Sequence, residues 1–229
     1  MKDNNLPLHE EVLLLALKDK KGTIHTGLNY QFILAGAMMA ELFIQGKIEI
    51  EKVGKKNFIR LVNSKLTSDS LINDCIAKLV KAKKRQQAPA WISRFSGVKD
   101  LKNRVAKQLC RKRILKLEED KVLLIFNRKL YPEINPKPEK EIMERLSKAI
   151  FTDTNELDTR TILLVAIGSK SNLLRTLFSN KDLKPRKKRM DQICNGDVIG
   201  KATGEAIQAM QAAIVVACMV PVITTAGVH

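Results

Sequence analysis

Residues 97–126, GVKDLKNRVAKQLCRKRILKLEEDKVLLIF, decide how the rest of the chain is read. Leu101, Val105 and Leu109 recur every fourth residue, and this spacing predicts a helix with one narrow apolar stripe. Around the stripe stand Lys99, Lys102, Arg104, Lys107, Arg111, Lys112 and Arg113, opposed only by Asp100. Residues 114–117 then alternate apolar and polar, Glu119-Asp120 reads as a turn, and Val122-Leu123-Leu124-Ile125-Phe126 returns. That is the pattern of a β-hairpin with one buried face. A cationic helix leading straight into a hairpin is suited to meeting a polyanion.

Composition bounds which polyanion. With 229 residues, 45% of them hydrophobic, the chain can bury a substantial core and reads as folded. Its 41 Lys and Arg against 24 Asp and Glu leave a formal net charge of +17. Such an excess favours phosphate-rich partners, either nucleic acid or an anionic membrane face, and charge alone does not separate them. Cys75, Cys110, Cys194 and Cys218 show no CxxC spacing, so neither a zinc site nor a disulfide framework is indicated. Reduced thiols in a cytoplasmic setting fit this usage. The opening MKDNNLPLHEE lacks the apolar stretch of a secretory signal. The longest apolar run, 212–223, is interrupted by Pro221 and falls short of the roughly 20 residues that cross a bilayer. Any membrane contact is therefore expected to be peripheral.

In chain order, Leu8, Val12 and Leu15 mark a first helix with Glu10 and Glu11 in its opening turn, where the macrodipole favours acids. A short extended piece over 23–26 precedes a helix over 28–44, whose Gly36, Ala37 and Ala40 permit close packing. IEIEKV and FIRLVN, joined around Gly54-Lys55, read as a hairpin. Leu71, Ile72, Ile76, Leu79 and Val80 predict a helix over 70–84, and Pro89 opens a short one carrying Trp91. After the basic helix and hairpin, the loop NRKLYPEINPK presents Leu130 and Tyr131 as an exposed pair. Helices are expected over 139–150, 156–168, 171–178, 184–193 and 201–224. No internal repeat or long Gly/Ser linker divides the chain. The expected architecture is mainly α: a short flexible 1–5, then a single globular helical domain over 6–229. Its centre would be the nearly apolar last helix, with small β-hairpins at the edge.

Candidate chemistry is sparse. His9, His25 and His229 stand beside no Ser or Cys with an acid in a recognisable order. GDVIGKA at 196–202 departs from a phosphate loop, with three residues between its glycines and Ala202 where a magnesium-holding hydroxyl belongs. Glu10 and Glu11 beside His9 are accounted for by the first helical turn without a metal. The expectation is no catalytic residue, no metal and no cofactor, hence no enzyme. KPRKKR at 184–189 resembles a nucleic-acid patch, although a solvated helix start accounts for it. Lys99 and Lys102 differ: one turn apart on a helix of fixed register, they can converge on a single phosphate.

Three segments together resemble a known family. LPLHEEVLLLALKDKKG with LAGAMMAELFIQGKIEIE is similar to the start of the Golgi phosphoprotein 3 (GPP34) family. RVAKQLCRKRIL followed by VLLIF resembles that family's basic helix and strand, and LDTRTILLVAIGSKSNLL a later helix. The matches fall in the family's order across nearly the whole chain. The resemblance implies a mostly helical domain that binds phosphatidylinositol 4-phosphate on the cytosolic face of the Golgi. It also implies a non-enzymatic adaptor role toward the cytosolic tails of membrane enzymes. The family's head-group pocket uses a loop Trp, an Arg and two basic residues. The basic pair corresponds to Lys99 and Lys102, the Arg position falls on Ala35, and the Trp position on Thr26, or on Gly27 if the gap in that loop is placed differently. Losing the Arg removes a bidentate phosphate clamp. The family hairpin, which aids self-association and can dip into the bilayer, corresponds to 115–136, with Leu130 and Tyr131 as its membrane-facing groups. The arginine-rich tail of eukaryotic members is not matched, which suggests a compact relative, placed at the cytosolic Golgi face if eukaryotic and in the cytoplasm or at the inner membrane if bacterial.

Two readings stand at this point. One is a peripheral protein for anionic, phosphoinositide-type lipid heads, with possible homo-oligomerisation through the hairpin. The other is a winged-helix-like nucleic-acid-binding protein using the same basic helix.

Overall fold

Helix α1 (Leu8–Ala16) is buried at every one of its 9 residues, the ionisable His9, Glu10 and Glu11 included. Helix α2 (Tyr30–Ile44) buries an unbroken run from Ile33 to Leu42. These two and α7 (Thr159–Lys170), buried from Thr161 to Gly168, pack against one another. A helix covered on all sides belongs at the centre, and these helices form it. The computed structural model describes residues 6–18, 21–122, 126–196, 207, 209 and 210. The central last helix expected over 201–224 lies outside the described residues except for Ile207, Ala209 and Met210, of which Ile207 and Met210 are buried.

Amphipathic helices surround this centre: α3 (Ser70–Val80), α4 (Ala88–Ser96), α5 (Leu101–Arg111) and α6 (Lys137–Phe151). The expected stripe on α5 is present, with Leu101, Val105, Ala106 and Leu109 buried. Beyond α7 come α8 (Leu173–Leu177), α9 (Asn180–Leu183) and α10 (Lys187–Asn195), with a 3-10 turn over Lys184–Arg186. The strands form antiparallel pairs: β1 (Leu17–Lys18) with β2 (Thr23–Ile24), β3 (Ile48–Val53) with β4 (Lys56–Leu61), and β5 (Glu118–Val122) with β6 (Phe126–Leu130).

The β5–β6 hairpin differs from the expected one. Glu119 and Asp120 are strand residues opposite Lys129 and Arg128, not a turn. Opposite charges facing across a strand pair favour this register, and Arg128 Nη2 lies 3.0 Å from Asp120 Oδ2. The alternating 114–117 segment serves elsewhere: Ile114 and Leu115 enter the core, and Leu115 bridges to Glu133.

The acids of α1 hold neighbouring elements. Glu10 Oε2 lies 2.5 Å from Lys112 Nζ, and Glu11 Oε2 accepts from Arg145 Nη2 at 2.7 Å. His9 Nε2 is 2.9 Å from Asp69 Oδ2, close enough for attraction though outside hydrogen-bond alignment. Glu41 of α2 accepts from the Leu8 N–H and from Arg160 Nη1, each at 2.8 Å. Burial raises the pKa of Glu10 and Glu11 in spite of their cations. Burial acts on Glu41 the same way, but Arg160, the Leu8 N–H and Gln45 outweigh it and hold Glu41 below the usual range. A buried carboxylate stripped of its partner is costly, so these pairs specify where the outer helices dock. Macrodipole preference alone, the sequence reading of Glu10 and Glu11, explains only part of their placement.

Candidate functional site

The site grows from one backbone contact. Gly22 closes the β1–β2 turn at φ +58°, and its carbonyl accepts the Tyr131 N–H at 3.1 Å. A Cβ on Gly22 would fall 2.2–2.3 Å from Tyr131 and Pro132 backbone atoms, so only glycine allows this approach. The contact brings the base of the β5–β6 hairpin, the β1–β2 turn and α5 together.

Tyr131 is 1% exposed. Its hydroxyl donates to Asn103 Oδ1 at 3.1 Å, and Asn103 Nδ2 donates to Asp100 Oδ1. Burial, with Asp100 adding to it, pushes the Tyr131 pKa up to about 12, so the phenol stays a neutral donor. This corrects the expectation that Tyr131 faces a membrane. Its partner in that expectation, Leu130, is half-buried and pairs with Glu118 at the end of the hairpin opposite Val122 and Phe126. The Asn103 amide supplies the partner that a buried phenol needs, which leaves the hydroxyl satisfied inside the fold.

Lys102 uses that ring as a floor. Its Nζ lies 5.9 Å from the Tyr131 ring centroid, within cation–π range. Lys102 is half-buried, and burial, reinforced by Arg128, lowers its pKa against the pull of Asp100. Arg128 in turn shares a concavity of about 510 Å³ with Lys18, Lys21, Thr23, Glu118 and Leu130. Lys18, Lys21 and Arg128 therefore join the site, and sequence reading missed all three. Lys99 is exposed and lies in a turn, because Asp100 adopts the left-handed conformation (φ 56°) just before α5 begins at Leu101. Lys99 and Lys102 are thus not one helical turn apart on a common helix, as the spacing suggested. Neither makes an ion pair with any described residue.

The substituted pocket positions fall differently. Thr26 is exposed in the segment between β2 and α2, and the half-buried Tyr30, its nearest aromatic, opens α2. Ala35 is 0% exposed inside α2, where a long cation does not fit, so no charge reaches the site from there. Two cations that flank the α5 stripe are already committed. Arg104 Nη1 lies 2.6 Å from Asp74 Oδ2, and Lys112 is held by Glu10.

What remains is a basic surface over a buried aromatic ring. Among the described residues no group of three His, Cys, Asp or Glu could hold a metal ion. Among them, too, no helix is long and apolar enough to cross a membrane.

Comparison with known proteins matches residues 8–210 to the family described as Golgi phosphoprotein 3 (GPP34). Vacuolar protein sorting-associated protein 74 of Schizosaccharomyces pombe is 27% identical over 226 residues. That alignment covers 84% of this chain, which spans 66% of the relative's length.

Proposed function

The chain belongs to the Golgi phosphoprotein 3 (GPP34) family, and from that premise we propose that it is a peripheral membrane protein that binds phosphoinositide head groups. Lys102, set over the buried Tyr131 ring beside Arg128 and without an ion-pair partner among the described residues, is the observation that carries this reading. A cation already partly desolvated and unneutralised gains most when a phosphate arrives. Lys99, Lys18 and Lys21 supply further attraction. Each lysine near an anionic leaflet contributes about 1 kcal/mol, so four give roughly a thousandfold surface enrichment.

The protein acts in this reading as a non-enzymatic adaptor, the lipid site holding it on the cytosolic face while other surfaces take the tails of membrane enzymes. Self-association through the β5–β6 hairpin belongs to the same reading. No observation favours nucleic acid: α5 packs into α1, α2 and α3, and its Arg104 is engaged by Asp74.

A vesicle-binding panel tests the proposal. Vesicles carrying phosphatidylinositol 4-phosphate are compared with phosphatidylserine vesicles of matched charge and with neutral lipid. Preference for the phosphoinositide at equal charge is expected. Binding that follows total charge alone would overturn the head-group site.

A further inference from the structure

Residues of α7, α8, α9 and α10, with the segments joining them, line a second, open cavity of about 630 Å³, within the range of small-ligand sites. Lys170, Arg175, Lys184 and Lys187 line it, with Asp191 as the one acid among the described residues. Asp191 already lies 3.8 Å from Lys170 Nζ. Arg175, Lys184 and Lys187 form no ion pair with any described residue.

The basic run 184–189 is divided between two tasks. Arg186 Nη2 donates to the Phe151 carbonyl at 2.5 Å, and its Nη1 lies 3.2 Å from Asp153 Oδ1. Arg189 is buried; it donates to the Ala149 carbonyl at 3.2 Å and to that of Thr154. These arginines cap the C-terminal end of α6, where free carbonyls and the negative end of the dipole favour cations. Lys184 and Lys187 do no such work and face the cavity, whereas Lys188 does not line it. A merely solvated helix start does not account for this division.

We propose that this cavity binds a polyol carrying two or more phosphate groups, either free or as a lipid head group. Four cations less one carboxylate leave a net +3 around the cavity. A phosphomonoester carries about −1.5 to −2 charge, so two of them balance the site where a single carboxylate does not. Among the described residues no aromatic side chain lines the cavity, so they offer a nucleobase no stacking surface. Ser169, Asn172 and Asn180 instead offer hydroxyl and amide groups suited to a polyol's hydroxyls, above a floor that includes Leu174 and Leu183. The site shares no lining residue with the Lys102 surface and does not depend on it.

The test is isothermal titration with D-myo-inositol 1,4,5-trisphosphate at physiological salt, in a Lys99→Glu, Lys102→Glu background that removes the first site. Adding Lys184→Ser and Lys187→Ser should weaken binding at least tenfold. Lys181→Ser with Lys188→Ser, an equal charge loss outside the cavity, should change it less than twofold. Asp191→Asn should tighten binding several-fold, a gain that no loss of folding can mimic. Equal weakening by the two lysine pairs, or no binding by the background protein, would overturn the proposal. Vesicles carrying phosphatidylinositol 4,5-bisphosphate separate the sources. Recruitment that the free trisphosphate displaces supports a lipid-borne ligand, and titration without recruitment supports a soluble one.

Discussion

Gly22→Ala is the most informative single substitution in this protein. The new methyl would lie 2.2 Å from the Tyr131 carbonyl carbon, where ordinary contact begins near 3.4 Å, and backbone atoms cannot rotate away. The Tyr131–Pro132 segment must therefore shift by about an ångström, enough to break the 3.1 Å hydrogen bond to the Gly22 carbonyl. Left-handed backbone on alanine costs about 1–2 kcal/mol, the lost hydrogen bond about 1, and the overpacking about 1–3. Together these give a loss of about 3–6 kcal/mol, or about 6–24 °C in Tm for a chain of this size. Gly27 and Gly54 also have positive φ, but nothing lies within 4 Å of where the new methyl would stand, so Gly27→Ala and Gly54→Ala incur the backbone cost alone. Calorimetry on the three variants isolates the docking contribution. Because Tyr131 is the floor beneath Lys102, Gly22→Ala should also weaken vesicle binding below its unfolding temperature. Equal Tm losses for Gly22→Ala and Gly54→Ala would refute the claim that this contact holds the hairpin base in place.

The buried ion pairs yield two more predictions. Arg160→Met strands the Glu41 carboxylate, and urea denaturation should show a loss of about 3–5 kcal/mol at pH 7, against less than half of that for the exposed-pair variant Arg60→Met. For Asp69, burial would raise the pKa, but His9, Gln108 and the Leu71 N–H outweigh it and hold the carboxyl well below the usual range. A depressed folded pKa means stability present above the unfolded value near 3.8 and lost as pH falls below it. Asp69→Asn, which keeps a side chain able to cap α3, should therefore be less stable than the parent at pH 7. The gap should narrow as pH is lowered from 4 toward 2, and a gap constant across that range in urea melts would contradict the assignment.

Local pattern made much of the fold legible. The every-fourth-residue stripe of Leu101, Val105 and Leu109 and the turn at Gly54 declare themselves within a dozen residues. Tyr131 does not. It sits among polar residues and prolines with no periodicity, and its burial follows from a contact with Gly22, more than a hundred residues away in sequence. Lys18, Lys21 and Arg128 were hidden for the same reason, since only that docking gathers them around one concavity. The spacing of Lys99 and Lys102 misled because Asp100 is left-handed, so a three-residue interval is not a helical one. Glu10 and Glu11 carried a real first-turn signal, but their cations, Lys112 and Arg145, come from distant parts of the chain. Apart from the Asp100 conformation, which is local, the missing information was long-range.

The lipid-site account stands or falls with one measurement, co-sedimentation of the Lys99→Glu, Lys102→Glu double variant with vesicles containing phosphatidylinositol 4-phosphate. Lys99 is exposed, Lys102 is half-buried and neither is ion-paired with any described residue, so circular dichroism should match the parent and Tm should fall by only a few degrees for the lost ring contact. Under the proposed function the folded double variant stays in the supernatant while the parent pellets. A folded double variant that pellets as the parent does would contradict it.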